Sequence, residues 1–359
     1  MIYEIILKKT FGEAFFFNMS PNDILNNFDN YLNIENSFLK TIDTNILENI
    51  KNKKLTLIVK LTNEGDIDIM GIQIFEKLLN HYGIPKTACI LIHDSYGLPT
   101  TSIKSYQIHN HLFSKSEESI NLSKEKKLNI SVLKNKKYKF HLPIRRFRYH
   151  RLLLLDKLFS KYPNFIDSNL ISYDINTENN NEKLKSSSIS EALKQYMLSN
   201  VVKYIDVNDI ENVKGYRSEF QKVYSKSYFT IVTETYFFEP YYYISEKSFK
   251  PITHMHPFII LGRPGTLEYL KKFGFKTFDP FINESYDMEQ DNDKRFEMVC
   301  NEIIKLNELS TEELDNIMDK ITDILEHNQK QLLKCGGKIK MLYDLNEYIR
   351  KNINIINLI

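Results

Sequence analysis

Apolar residues follow two different periodicities along the first part of the chain. Residues 55–61, LTLIVKL, form a short apolar run rich in β-branched side chains, which predicts a buried strand. Residues 69–82 carry apolar side chains at helical spacing, and Gly83 and Pro85 then stop the helix. Residues 88–93, ACILIH, predict the next strand. A strand, a helix and a strand at this spacing predict a βαβ unit with a parallel sheet.

The second half repeats this alternation. The pattern predicts strands at residues 139–142, 228–234 and 257–262, and helices at residues 149–158, 245–254 and 265–273. Amphipathic helices follow from about residue 293 to residue 352. Two polar stretches stand out: residues 114–127 predict a linker or an exposed loop, and residues 174–188 predict a loop.

The predicted fold class is therefore α/β, with two Rossmann-like domains facing each other across a cleft and closing helices at the C-terminus. The expected division is an N-terminal acceptor-side domain at residues 1–130, a nucleotide-sugar-binding domain at residues 131–310, and helices at residues 311–359. Sheets of this kind bind ligands at the carboxyl ends of their strands.

Composition narrows the classes of protein. With 48 Lys+Arg against 46 Asp+Glu, the net charge is +2, which excludes a protein that is basic overall but not a local basic patch. The three cysteines lie far apart without a CxxC motif, which favours a reducing compartment over a disulfide framework or a Cys-rich zinc site. No apolar run approaches the roughly 18 residues of a membrane span, and no signal peptide is indicated at the start. We expect a cytoplasmic protein.

Several nucleotide and hydrolase motifs are absent. The chain has no GxGxxG, no GxxxxGK[ST] and no GxSxG. Dinucleotide-binding, P-loop and serine-hydrolase interpretations are therefore disfavoured.

A basic stretch, residues 134–151, carries eight Lys and Arg residues and no acid. Four of its arginines crowd the start of a predicted helix: Arg145, Arg146, Arg148 and Arg151. Guanidinium groups bind phosphate through two parallel hydrogen bonds, and a helix N-terminus adds backbone donors. A diphosphate would be well held here. The alternatives are a solvated basic face, or a nucleic-acid patch with interleaved aromatic residues such as Tyr149.

A second segment, residues 243–247, has the sequence YISEK. Ser245 is a plausible N-cap, which places Glu246 and Lys247 in the first turn of a helix. A carboxylate there can accept two ribose hydroxyls, and the lysine can neutralise a diphosphate. The strand PFIILG follows at residues 257–262 and ends in a glycine that leaves room for a ligand.

These motifs, YISEK and then PFIILG, resemble the donor-binding region of GT-B glycosyltransferases of the α1,3-fucosyltransferase type. The chain is also similar to phage and giant-virus glycosyltransferase-like proteins, which share the run SEKSFKPI…HPFIILGRPGTLEYLKKFGFKTF and an Arg-rich segment, here RRFRYHR. The resemblance covers roughly residues 134–300. The N-terminal domain matches no fucosyltransferase, so it carries over neither the sugar nor the acceptor.

The resemblance implies a nucleotide-sugar donor, GDP- or UDP-linked, a glycan or other hydroxyl acceptor, and no metal cofactor. Glu246 would hold the donor ribose, Lys247 and one of the arginines would hold the diphosphate, and Tyr243 would line the donor pocket. Lys250, one turn further along the helix, completes the predicted donor-binding set. An Asp-x-Asp string at residues 66–68 is better explained as a solvated helix start than as a metal site.

An inverting transfer needs a general base for the acceptor hydroxyl. Glu64 is the first candidate because it follows the strand at residues 55–61, and Asp94, after the strand at residues 88–93, is the second. Both are equally compatible with ordinary loop carboxylates. His254 and His256 resemble a ligand pair, but without a third ligand a structural role is favoured.

Two functions from different classes remain. The leading hypothesis is a glycosyltransferase that uses a nucleotide sugar. The alternative is a nucleic-acid-binding or DNA-modifying protein whose basic stretch contacts the phosphate backbone. The Glu-Lys helix start and the balanced net charge favour the enzyme, because a surface for the phosphate backbone has no use for a carboxylate.

Overall fold

The structure is a computed structural model that describes residues 14–19, 44–53, 56–61, 68–93, 101–124, 133–176, 179–203, 219–238 and 243–352. The strands within these ranges are β1 (Ala14–Met19), β2 (Thr56–Leu61), β3 (Cys89–His93), β4 (Lys104–Gln107), β5 (Tyr138–Ile144), β6 (Leu170–Asp174), β7 (Val202–Lys203), β8 (Ser227–Thr233) and β9 (Phe258–Leu261). The helices are α1 (Thr44–Lys51), α2 (Asp68–His81), α3 (Asn110–Lys124), α4 (Tyr149–Lys161), α5 (Asn180–Ser186), α6 (Glu191–Ser199), α7 (Glu219–Lys226), α8 (Glu246–Thr253), α9 (Thr266–Lys272), α10 (Asn292–Glu308), α11 (Thr311–Lys334) and α12 (Gly337–Asn352).

The chain forms two compact units. Unit 1 comprises Met1–Ser114, Pro240–Tyr243 and Gly336–Ile359, and unit 2 comprises Lys115–Glu239 and Ile244–Cys335. The domain boundaries expected from the sequence, after residues 130 and 310, stay predictions. Within the described ranges, every helix is too short or too polar to span a bilayer.

Unit 1 contains a parallel sheet in the order β1-β2-β3-β4. The pairing of β2 with β3, which α2 connects, confirms the predicted βαβ unit. All five residues of β3 are buried. Met341 and Leu345 of α12 complete this core by packing with Ile58, Ile90 and Ile92.

Unit 2 contains a five-stranded sheet in the order β7-β6-β5-β8-β9. Its strands are parallel except for β7, which pairs with β6 in the antiparallel direction. From β5 the chain moves outward to β6 on one side, and later continues through β8 and β9 on the other. The strand order therefore reverses between β5 and β8, which makes the carboxyl ends of these two strands a topological switch point.

Most predicted elements are confirmed within one to three residues at each end. The strand predicted at residues 228–234 is β8, and its seven residues are all buried, as expected for the interior of a parallel sheet. The helix predicted at residues 245–254 is α8, with Ser245 as its N-cap. The amphipathic region becomes α10, α11 and α12. The structure is thus α/β, as predicted.

The predicted linker at residues 114–127 is wrong for its described part, because residues 114–124 belong to α3. Residues 114–124 contain two apolar side chains, Ile120 and Leu122, yet Leu112, Ser116, Ser119 and Leu122 are buried. Their spacing of three and four residues gives α3 one buried face. Small serines on that face hide the periodicity, since they are polar but fill little space.

The predicted loop at residues 174–188 also contains a helix, α5. Its first residue, Asn180, is fully buried. The Asn180 Nδ2 group donates hydrogen bonds to the carbonyl oxygens of Arg145 (2.8 Å) and Asp174 (2.7 Å), and its Oδ1 atom accepts one from the Phe147 N–H (2.7 Å). This side chain fastens the segment that follows β5.

Candidate functional site

The two clusters singled out from the sequence meet at the switch point of unit 2. Strand β5 ends at Ile144 and is followed at once by Arg145 and Arg146, while β8 ends at Thr233 and is followed by Glu234. The strands are parallel neighbours, so both segments leave the sheet at the same edge. Helix α4 begins after the first segment. A ligand of an open parallel sheet binds in this position.

The arginines lie on the loop from β5 to α4, which Asn180 holds in place. Arg145 and Arg146 are exposed and Arg148 is partly exposed. The Arg148 guanidinium lies over the Tyr236 ring, 5.4 Å from its centroid. Arg148 is the N-cap of α4, and its side chain caps no N–H of the first turn. Three arginines therefore precede a helix start that has no side-chain cap.

Arg151 differs from these three because it is buried and binds the protein's own backbone. Its guanidinium donates hydrogen bonds to the carbonyl oxygens of Arg146 (2.9 Å), Thr233 (3.1 Å) and Glu234 (3.2 Å). His150 adds a bond from Nε2 to the Glu234 carbonyl (3.0 Å), and burial lowers the pKa of this histidine to about 3. The start of α4 is thus tied to the segment that follows β8.

Glu234 is a buried carboxylate whose oxygens are fully used inside the protein. Its Oε1 atom accepts hydrogen bonds from the Ser245 N–H (3.1 Å) and the Ser248 hydroxyl (2.6 Å), and its Oε2 atom accepts them from the Ser245 hydroxyl (2.7 Å) and the Thr235 N–H (3.2 Å). The Lys247 ammonium lies 3.6 Å from Oε2. Glu234 therefore anchors the start of α8 to the carboxyl end of β8.

Lys247 and Glu246 occupy the first turn of α8, as the sequence predicted. The Ser245 hydroxyl accepts the Lys247 N–H (3.2 Å), and the Lys247 ammonium donates back to that hydroxyl (2.7 Å) and to the Thr235 hydroxyl (3.2 Å). Glu246 keeps 35% of its side chain exposed and lies 3.9 Å from Lys250. Burial lowers the pKa of Lys250. Lys247 is thus tethered within the network, while Glu246 stays accessible.

Carboxylates of the protein itself occupy the starts of two helices at this edge. Glu234 binds the start of α8, and the carboxylate of Asp287 accepts the N–H groups of Leu267 (2.9 Å) and Glu268 (3.0 Å) in the first turn of α9. Burial raises the pKa of Asp287. Because these positions already hold negative groups, an anionic ligand is better accommodated beside α4 and its arginines.

Arg295 supports the same edge from α10 and was not anticipated. It is 1% exposed and donates hydrogen bonds to the carbonyl oxygens of Phe237 (2.9 Å) and Gly262 (3.1 Å). Its guanidinium also lies 4.4 Å from the centroid of the Phe237 ring. It thereby joins the segments that follow β8 and β9. A single arginine within an amphipathic helix gave no signal of this role.

The other predicted site residues are placed as follows. Tyr243 belongs to unit 1, where its hydroxyl bonds to Nε2 of His111 and the two rings meet edge to face with centroids 5.4 Å apart. Glu64, Asp94 and Asp66 lie outside the described residues, and Asp68 is the first residue of α2.

The histidine pair is structural. His256 is buried, and both of its ring nitrogens form hydrogen bonds. Nδ1 bonds to the Thr230 hydroxyl (3.0 Å), and Nε2 donates to the Ser227 carbonyl (2.8 Å). His254 stacks on the Tyr224 ring with centroids 4.7 Å apart. In the described part of the chain, His, Cys, Asp and Glu side chains nowhere gather in threes at a position suited to a metal ion.

Four cations of the basic stretch bind carboxylate or carbonyl groups of unit 2 itself. Lys134 pairs with Asp319 (2.5 Å), the Lys136 ammonium donates to the Tyr224 carbonyl (2.9 Å), and Lys139 donates to the carbonyls of Asn307 and Leu309. Lys136, Lys139 and Arg151 thus bind backbone carbonyl oxygens, whereas Lys134 forms an exposed ion pair. The stretch is therefore not one continuous basic face.

Comparison with known proteins adds no family. No protein-family model matches the chain, and no curated protein matches it. A functional assignment has to rest on the residues and their geometry.

Proposed function

We propose that this chain is a metal-independent glycosyltransferase of GT-B architecture, which transfers a sugar from a GDP- or UDP-linked donor to a hydroxyl of a glycan or another acceptor in the cytoplasm. One observation carries the proposal. Arg145, Arg146 and Arg148 precede the start of α4 on the loop that follows β5 at the switch point, while Glu234 and Asp287 bind the starts of the neighbouring helices α8 and α9. This arrangement favours a ligand with a compact double negative charge, as in a diphosphate.

The reaction assigns a task to each group. The acceptor oxygen attacks the anomeric carbon of the sugar, and the bond from that carbon to the diphosphate oxygen breaks. The diphosphate leaves with the electron pair, and the arginines stabilise its negative charge. Glu246, accessible in the first turn of α8, accepts hydrogen bonds from the donor ribose. The acceptor proton passes to a carboxylate base, for which Glu64 and then Asp94 stay the candidates.

Lys247 and Arg151 have different parts in this proposal. Lys247 contributes positive charge to the donor site and also contacts Ser245 and Glu234. Arg151 acts through the backbone, since its guanidinium binds carbonyl oxygens on both loops of the switch point. It is a positioning residue for the loop that carries Arg145 and Arg146.

The nucleic-acid alternative is less well supported. Backbone binding needs an extended row of accessible cations. Lys134, Lys136, Lys139 and Arg151 are each bound to groups of the protein itself. The accessible arginines lie within four residues of one another on a single loop, which suits a small anion better than an extended backbone.

The test is a binding experiment with a matched control. Thermal shift and calorimetry are run with GDP, UDP, CDP and ADP in the presence of EDTA. One of them should stabilise the protein, by roughly 2.7 kcal/mol at about 100 times its dissociation constant. The double variant R145A/R146A should weaken that binding at least tenfold, because charge-assisted hydrogen bonds are worth about 1.5–3 kcal/mol each.

The control is K134A/K137A, which removes the same charge from the same basic stretch. It should leave nucleotide affinity unchanged. The proposal fails if no nucleoside diphosphate binds, or if both double variants weaken nucleotide binding equally. Binding of nucleic acid that weakens steeply with salt would then favour the nucleic-acid alternative.

A further inference from the structure

Tyr149 is a large aromatic side chain left open to solvent at the switch point. It is the first residue of α4 and is 49% exposed. Its ring lies against the ring of Phe238, with centroids 5.7 Å apart and planes inclined at 37°. The Ser188 hydroxyl donates a hydrogen bond to the Tyr149 oxygen (3.3 Å). The ring thus contacts Phe238 and its hydroxyl binds Ser188, while about half of the residue faces water.

The position of this aromatic pair is what distinguishes it. Tyr149 directly follows Arg148 on the loop from β5, and Phe238 lies in the segment that follows β8. The two rings therefore join the two loops of the switch point. Phe238 packs in turn against the buried Phe237, and the two rings meet edge to face with centroids 4.8 Å apart. The Arg295 guanidinium lies over the Phe237 ring.

We propose that Tyr149, supported by Phe238, is the platform on which the nucleobase of the donor stacks. This inference rests on the proposed function and extends it, since it assigns a place to the base as well as to the diphosphate. A nucleoside diphosphate combines an anionic group with a flat aromatic one, joined by a ribose. The edge of unit 2 has arginines for the anionic group, a partly exposed carboxylate at Glu246 for the ribose and an accessible aromatic ring for the base.

A stacking platform at this residue should discriminate only weakly among bases. Every base has a π-face, so stacking on an aromatic ring is tolerant of sequence. The platform should therefore add affinity to purine and pyrimidine nucleotides alike, with larger bases gaining more. Selection of one base would require hydrogen-bonding groups elsewhere in the site.

An exposed tyrosine alone is ordinary, and the chain supplies such a case for comparison. Tyr343 of α12 is 65% exposed in unit 1. It provides the matched control, because Y343L removes an even more exposed phenol far along the sequence from the arginines.

The test compares ligands with and without a base. Dissociation constants of the preferred nucleoside diphosphate and of inorganic pyrophosphate are measured by calorimetry for the wild type, Y149L, Y149F and Y343L, with far-UV circular dichroism to verify folding. Y149L should weaken nucleotide binding about tenfold and leave pyrophosphate binding unchanged. Y149F, which keeps the ring, and Y343L should both bind the nucleotide as the wild type does.

The outcomes separate this inference from the proposed function. If the wild type binds neither ligand, the proposed function fails and the platform fails with it. If the wild type binds the nucleotide and Y149L binds it equally well, the platform is overturned while the proposed function stands. An equal loss of nucleotide and pyrophosphate affinity in Y149L also overturns it, because Tyr149 would then act on the phosphate loop.

Discussion

Replacing Glu234 by Gln changes one atom in the centre of the site and tests the network that anchors α8. Glu234 is 1% exposed, and both of its oxygens accept two hydrogen bonds. Gln has nearly the same shape but carries one NH₂ group in place of an oxygen. Each orientation of the amide sets that NH₂ against a backbone donor, either the N–H of Ser245 or the N–H of Thr235. The substitution therefore cannot be satisfied by a flip.

The expected cost follows from these contacts. A buried donor left without an acceptor costs about 1–3 kcal/mol, and loss of the carboxylate charge weakens the hydrogen bonds that remain. The Lys247 ammonium, 3.6 Å away, also loses its counter-charge. We expect E234Q to destabilise unit 2 by about 2–5 kcal/mol. For a unit of this size the melting temperature should fall on the order of 5–15 °C.

The assay is differential scanning calorimetry together with far-UV circular dichroism, since the chain has no tryptophan for fluorescence. The matched control is E246Q, an identical substitution in the first turn of α8. Glu246 is more accessible and lies 3.9 Å from Lys250, so E246Q should change stability by no more than about 0.5 kcal/mol. If E234Q melts at the same temperature as E246Q, the buried network does not hold α8 in place.

Two further predictions concern a buried lysine and the proposed base. Burial lowers the pKa of Lys136 from 10.5 to about 7, so between these values the unfolded chain keeps a proton that the folded protein has lost. The free energy of unfolding of the wild type should therefore rise with pH relative to that of K136M, by at most about 1.4 kcal/mol per pH unit. Urea unfolding at pH 7, 8 and 9 measures this difference, and an equal pH dependence of the two proteins would contradict the prediction. E64Q should lower the rate at which the reaction forms nucleoside diphosphate by about 10²–10⁴-fold, without changing nucleotide affinity. If E64Q turns over as fast as the wild type, Glu64 is not the base and Asp94 is the next candidate.

Most of the fold could be predicted because its strands and helices follow from local sequence patterns. The strands β2, β3, β8 and β9 are mainly apolar runs, and the N-cap Ser245 marks the start of α8 in the sequence. Segments whose buried face is polar could not be found in this way. Helix α3 buries Ser116 and Ser119 between Leu112 and Leu122, and the two serines interrupt its hydrophobic pattern.

The candidate site could be predicted in part for a related reason. Sequence places Arg145 and Arg146 at the end of a strand and Glu246 at the start of a helix. It does not say that Glu234, eleven residues before Ser245, folds back to bind it. Nor does it say that Asn180, 35 residues after Arg145, holds the backbone of the arginine loop. Such contacts depend on the tertiary fold and leave no local pattern.

The distinction between binding and positioning residues emerges only when the acceptor of each cation is known. Four arginines close together in sequence look equivalent, yet Arg151 spends its hydrogen bonds on backbone carbonyls at both loops, whereas Arg145 and Arg146 are exposed. A guanidinium that holds two loops together cannot also turn toward a ligand without releasing them. The same reasoning applies to the carboxylates, since Glu234 is held by four donors and Glu246 remains accessible. The charged groups proposed to meet a donor are therefore those whose side chains stay exposed or partly exposed.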